Sequence, residues 1–268
     1  MAKQRSKYIN QDGIKGRPIR LNRIRLEPLA SKDYAEMIYA GDVHLGHPNS
    51  EIDRFKKMLK YCGDHGIYIF LTGDLLEIGT KESIGSAVYE QYANADEQYD
   101  EMYEILHPYA ILGLIVGFLR GNHEERIYKM SGFDPSKLLA KMLSVPYLGD
   151  ACWNRISVKD QHYSAYTLHG RTNAKFDGTA LLAVERLGAP FFADMIVMGH
   201  AHKLISSAVL MQHLTPRGIK EHKKHIIIAG HYLSYDKSYA QSMGLPPSKL
   251  GSPKVKLMST KHEIFVSY

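Results

Sequence analysis

Five short apolar runs in this chain each stop at a carboxylate, an amide or an imidazole beside a glycine. That repetition restricts the fold more than any other feature. Met37-Ile38-Tyr39-Ala40 runs into GDVH, with Asp42 and His44, and GIYIFLT runs into GDLLE, with Asp74. ILGLIVGFLR runs into GNHEE, with Asn122 and His123; Leu168 precedes His169 and Gly170; MIVM runs into GHAH, with His200 and His202. Runs of this length and composition, bounded by glycine turns, read as buried strands. Residues two apart on an extended exit share one side, so Asp42 and His44 face the same way. The five stations span about 160 residues, and open α/β sheets gather their sites at the carboxyl ends of strands. A lone Gly-Asp is more often a turn, and a lone His169 more often a satisfied polar residue. Five such stations at equivalent strand ends imply one polar site.

The remaining periodicity supplies layers around those strands. Leu21 to Leu29 alternates as a first strand, and residues 36–41 form a second. Ile52 to Cys62 keeps helical spacing, with Asn49 or Ser50 as cap and Asp53 completing a weak capping box. A strand over Ile67–Leu71 closes a βαβ unit. Residues 81–108 read as helices, with Tyr92, Ala95, Tyr99, Met102, Tyr103 and Leu106 on one face; a strand then starts from Ile111. Helices follow at Pro135–Leu143 and Thr179–Leu187, and strands at 153–158, 163–168, the MIVM run, 205–211 and 225–229. A Pro/Gly-rich excursion covers 236–251, and a hairpin of 255–258 with 264–266 ends the chain. The pattern predicts a layered α/β or α/β/β/α domain over 1–268. It carries a basic N-terminal arm (about 1–20) and a helical insertion (about 81–110).

Composition narrows the setting. The formal net charge is +6 with histidine neutral, which suits an anionic partner such as nucleic acid. Cys62 and Cys152 are too few for a disulfide framework, which favours a reducing compartment. The opening MAKQRSKYIN lacks the apolar core of a signal peptide, and no run nears 18 apolar residues. A cytoplasmic protein without membrane contact is expected. Tyrosines (18, against 8 phenylalanines) cluster at Tyr89–Tyr103 and Tyr232–Tyr239, and read as semi-exposed faces.

The donor set is Asp, Asn and His, with no cysteine at any station. It suits two adjacent divalent ions: manganese first, with iron, zinc, nickel or magnesium as alternatives. One carboxylate could bridge ions about 3.5–4 Å apart, and such a pair clamps a phosphoryl group and acidifies a water. The chemistry indicated is in-line hydrolysis of a phosphate ester.

As a set, GDVH, GDLLE, GNHE, HG and GHAH resemble the motifs of the calcineurin-like metallophosphoesterase superfamily, of the small phage or bacterial type. The resemblance implies a four-layer α/β/β/α sandwich. It implies that Asp42, His44 and His202 bind one ion, with Asp74 shared, and that Asp74, Asn122, His169 and His200 bind the other. It implies that His123 contacts the phosphate and assists the leaving group while a bridging hydroxide attacks phosphorus. Serine/threonine phosphatases of the superfamily carry Asp-Arg where this chain has Glu77-Ile78, which argues against a protein substrate. DVHLG is similar to the first motif of the subgroup that holds double-strand-break repair nucleases.

Substrate grip is expected from Arg171, Asn173 and Arg126. Glu77 reads as an acceptor for His123 or a metal-bound histidine, or as a solvated carboxylate. Arg120 reads as structural, Glu125 as a surface charge, Lys175 as solvated, His47 as pocket or loop, and His231 as core or rim. The function expected is phosphodiester hydrolysis in DNA or RNA. The alternatives are a phosphomonoesterase, a cyclic or small-nucleotide phosphodiesterase, or an inactive scaffold; a homodimer is compatible with any of them.

Overall fold

The computed structural model describes residues 20–80, 87–172, 174–235, 241 and 246–268. The basic arm up to residue 19, Asn173, residues 81–86 of the helical insertion and most of 236–245 lie outside the described residues.

Two six-stranded sheets stack face to face. The first contains β2 (Tyr34–Ala40), β3 (Tyr68–Leu71), β4 (Ile115–Leu119) and β5 (Tyr147–Gly149), all parallel, and then β11 (Lys254–Met258) and β12 (Ile264–Ser267) as an antiparallel edge pair. Its order is β12-β11-β2-β3-β4-β5. The second contains β1 (Arg20–Leu26), β6 (Ala151–Val158), β7 (Gln161–Leu168), β8 (Met195–Met198), β9 (Leu204–Thr215) and β10 (Gly218–Ala229), in the order β1-β6-β7-β8-β10-β9.

The pleat explains the layers. In β2, Met37 and Tyr39 face the other sheet and pack with Phe70, Ile156, Val197 and Ile227. Their neighbours Ile38 and Ala40 face outward against α1 (Ile52–His65), α3 (Ala95–Ile111) and α5 (Pro135–Met142), with Phe55, Leu59, Met102, Leu106 and Leu139. Strands covered on both faces read as continuous apolar runs, as this one does. The second sheet's outer face packs Ile196, Met198, Ile226 and Ile228 against Ala180 and Val184 of α6 (Asp177–Gly188). The result is the expected α/β/β/α sandwich.

Local details differ from the sequence expectations. α1 starts after Glu51 with no side-chain cap, because the Ser50 hydroxyl donates to Val43 O (2.7 Å) instead. α3 has the true capping box: Asn94 accepts from Asp96 N and Glu97 N, and Glu97 accepts from Asn94 N. Ile111 and Leu112 end that helix and are exposed rather than opening a strand; the chain turns at Gly113 before β4. The β9–β10 hairpin is longer than its apolar residues suggest. Its outer half pairs only with itself and needs no buried face. Both cysteines are free and buried. Tyr89, on the short helix α2 (Ala87–Glu90), and Tyr92 are exposed, whereas Tyr232 is fully buried against Phe55. No helix among the described residues is long and apolar enough to cross a membrane.

Candidate metal centre

The carboxyl ends of β2, β3 and β4 from one sheet, and of β7 and β8 from the other, meet along one rim. Asp42 and His44 leave β2, Asp74 leaves β3, His169 leaves β7, and His200 and His202 leave β8. Asn122 and His123 open α4 (Asn122–Ser131) directly after β4. Eight described non-glycine residues have positive φ, and five of them are Asp42, His44, Asp74, His200 and His202. Each such conformation costs on the order of 1–3 kcal/mol and persists where the surroundings over-determine it. Here the strand exits are cross-tied: Asp42 N donates to Gly73 O and Val43 N to Asp74 O. Gly121 is required by proximity, since a Cβ there would lie 2.0 Å from Asp74 Oδ1.

The side chains converge in three groups whose ligand atoms lie within 4.8 Å of one another: Asp42, His44 and His202; His44, Asp74 and His123; Asp74, His169 and His200. His44 Nδ1 sits 3.0 Å from Glu77 Oε2, which assigns its proton to that nitrogen. Burial and nearby His123 push His44 below its ordinary value, which disfavours its charged form. Its Nε2 faces His202 Nε2 at 3.1 Å and Asp74 Oδ2 at 4.0 Å. His169 Nδ1 donates to Thr72 O (2.9 Å), and its Nε2 faces Asn122 Oδ1 (3.0 Å) and Asp74 Oδ2 (3.3 Å). His200 Nδ1 lies 2.6 Å from the same Asn122 oxygen. His202 Nε2 lies 3.3 Å from Asp42 Oδ1, and the His200 amide donates to both Asp42 oxygens.

Acceptor atoms that converge this closely repel unless something positive sits between them. Without a metal, protons fill part of that role. Burial alone would lower His169, but Asp74 and Asp42 push it up to about 10. Burial and the His169 charge push His200 down to about 4. Burial would raise Asp42 and Asp74, yet the surrounding histidines hold both below the ordinary carboxylate range. The oxygen and imidazole donors fit divalent cations, whose binding displaces such protons.

Two carboxylates support this centre. Glu77 is buried, and burial would raise it, but the bond from His44 and the His123 and His44 charges bring it to about 2. It is an acceptor for the ring of His44, and the His123 ring meets its backbone carbonyl at 2.7 Å. The solvated alternative for Glu77 does not hold. Glu124, which the sequence reading passed over, accepts from four backbone amides: Asp74 (3.2 Å), Leu75 (2.9 Å), Leu76 (3.2 Å) and Gly121 (3.0 Å). It ties the Asp74 turn to the start of α4, while burial and the Asp74 charge push it up to about 7. Its only sequence signal is its place three residues after Gly121, the N3 position, where a glutamate can accept from the N-cap amide. Glu124→Gln would aim an amide donor at amide donors. It should lower stability by about 1–3 kcal/mol, read from denaturant midpoints; an unchanged midpoint would refute the clamp.

The other candidates fall into place around this core. Arg126 Nη2 donates to His123 Nε2 (3.0 Å). Arg126 and Arg171 line an open cleft of about 290 Å³ with Asn122, Glu125, Lys129 and His200. Arg120 is buried and holds Asp150 (2.9 Å) and Asp134 (3.2 Å), a structural role. Glu125 is a charge in the first turn of α4 and is partly covered there: Arg171 donates to it, and Lys129 lies 3.3 Å away. The His47 ring accepts from Asn49 N (3.0 Å) and shapes its own loop. His231 is buried and stacks on His202 with ring centroids 5.1 Å apart, and burial holds it near about 3.

No curated protein matches the chain significantly. Among solved structures, a conserved uncharacterized protein of Streptococcus pneumoniae TIGR4, described as a predicted phosphoesterase, is 11% identical with a TM-score of 0.37, over 88% of this chain and 90% of that one. Vacuolar Protein Sorting 29 from Cryptosporidium parvum is 14% identical with a TM-score of 0.38, over 88% and 98%. Vps29 from Entamoeba histolytica complexed with zinc is 14% identical with a TM-score of 0.30, over 87% and 97%. The model of the calcineurin-like phosphoesterase family matches residues 38–239, from within β2 to beyond β10. That span includes every station of the rim, and the chain belongs to the calcineurin-like phosphoesterase family.

Proposed function

We propose that the protein is a two-metal phosphoesterase that cleaves phosphodiester bonds in DNA or RNA, with manganese as its metal. The observation that carries the reading is the convergence of carboxylate, amide and imidazole donors from five strand ends in overlapping groups within 4.8 Å. Asp42, His44 and His202 would hold one ion and Asn122, His169 and His200 the other, with Asp74 between them. When bound, the pair supplies Lewis acidity at the phosphoryl oxygens and acidifies a water. Glu77 and Thr72 O orient the rings of His44 and His169, a role that outer partners of metal-binding histidines commonly play. His123, with Nδ1 tied to Glu77 O, would face the leaving oxygen with Nε2 and, once protonated there in place of the Arg126 contact, give it that proton. Arg126 and Arg171 would meet the phosphate from the open side. The net charge of +6 favours a polyanionic substrate in a cytoplasmic setting, and the small phage or bacterial type belongs to the same reading.

The test is a chelated, dialysed preparation reloaded with manganese. It would be offered single-stranded DNA, duplex DNA, a cyclic nucleotide and an aryl monoester side by side. Stripping should abolish turnover, and manganese should restore it and raise the melting temperature. Full activity without residual metal by elemental analysis would overturn the metal assignment. Turnover of the monoester alone would overturn the substrate class.

A further inference from the structure

The cleft beside the metal centre holds more positive charge than one phosphate needs. It is lined by Asn122 and His200 on its inner side and by Arg126, Lys129, Arg171 and Glu125 on its outer side. Arg171 comes from the loop after β7, and Lys129 lies one turn beyond Glu125 on α4. These two cations share one Glu125 oxygen: Arg171 Nη2 donates to Oε2, and Lys129 Nζ lies 3.3 Å from it. The Arg171 and Lys129 side chains are 63% and 60% exposed, against 23% for Glu125. Exposed pairs of this kind contribute little and are easily exchanged. A strand phosphate offers its two non-bridging oxygens to the same donors, and arginine can bind both at once. Glu125 thus engages the two cations that line the outer side of the cleft.

We propose that this cleft is a subsite for a second phosphate, adjacent along a nucleic-acid strand to the phosphate at the metal centre, and that Glu125 holds its place until substrate arrives. The proposal rests on the phosphodiesterase reading above, and it assigns Lys129 and Glu125, which that reading does not use. Lys129 would contact the flanking phosphate, so its effect should appear only for ligands that carry one. Glu125 competes with that phosphate, so removing its charge should favour the same ligands.

The experiment uses the full manganese-loaded chain and two ligands that differ by one phosphate, the dinucleotides TpT and pTpT. Wild-type protein should prefer pTpT in kcat/KM by about tenfold, the size of one charge-assisted contact, chiefly through KM. Lys129→Ala should bring the ratio close to one, and Glu125→Gln should widen it. Both ligands meet the same protein sample, so a general loss of folding cancels in the ratio. A ratio untouched by Lys129→Ala, or narrowed by Glu125→Gln, overturns the subsite. Calorimetric binding of both dinucleotides supplies a readout without turnover. If neither is hydrolysed but the Kd ratio depends on Lys129, the phosphodiesterase reading fails and the subsite stands. ADP tests the other source of paired phosphates: ADP binding as tightly as pTpT, with the same dependence on Lys129, would overturn the assignment to a strand.

Discussion

Asp74→Asn should empty the centre of metal and abolish hydrolysis. Asp74 belongs to two of the three ligand groups, and its Oδ2 lies 3.3 Å from His169 Nε2 and 4.0 Å from both His44 Nε2 and His123 Nε2. Its other oxygen accepts from the His123 amide at 2.9 Å. Asparagine preserves the shape but removes the one charge that faces both groups. It also leaves His169 without the carboxylate that does most to hold its proton. The loss of metal affinity should exceed the roughly 10–100-fold that losing an outer partner costs. Elemental analysis of the purified variant reads it directly, with hydrolysis of an aryl diester as the second measurement. A variant that kept two ions per chain and normal turnover would remove Asp74 from the bridging position.

His123→Ala should lose turnover by about 10²–10⁴-fold, the usual range for a positioned acid or base, while keeping both ions. Both ring nitrogens of His123 have hydrogen-bond partners outside the proposed donor set. Its Nδ1 is committed to Glu77 O at 2.7 Å, and its Nε2 receives Arg126 at 3.0 Å on the side of the open cleft. His123 also falls within ligand distance of His44 and Asp74, so the metal content of the variant is the deciding quantity. If His123→Ala loses an ion, His123 is a ligand. If it cleaves esters with poor leaving groups at the normal rate, it is not the acid. Good and poor leaving groups should be compared, because only the poor ones need the proton.

Much of this site is visible along the chain because its signals are local. A short apolar run followed by glycine and a polar residue needs only a few neighbours to be recognised, and β2, β3 and β8 fall within those runs. Where the signal is not local, hydrophobic pattern alone misplaces the element. The run from Ile111 looked continuous with β4, yet the capping box at Asn94 starts a helix that extends through Ile111. The outer β9–β10 hairpin is polar and pairs only with itself, so hydrophobic alternation does not mark it. Glu124 and Glu125 show the limit most clearly. They are adjacent and chemically alike, yet the 100° step of a helix buries one beneath the Asp74 turn and sends the other among Arg171 and Lys129.

The sequence by itself determined where the candidate donors lie: Asp42, His44, Asp74, Asn122, His169, His200 and His202 each follow an apolar run that forms a strand. It also determined the layered architecture, because strands apolar on both faces must be covered on both sides. Only the tertiary structure decided which donors meet. Asp42 faces His202, and Asn122 lies between His169 and His200, because β2, β3 and β4 of one sheet end at the same rim as β7 and β8 of the other. Local pattern carries no information about how two sheets stack, and that stacking brings residues up to 160 positions apart to within a few ångströms. The clamp of Glu124, the support of Glu77 and the shared carboxylate of Glu125 exist for the same reason. Each depends on a partner that only long-range packing delivers.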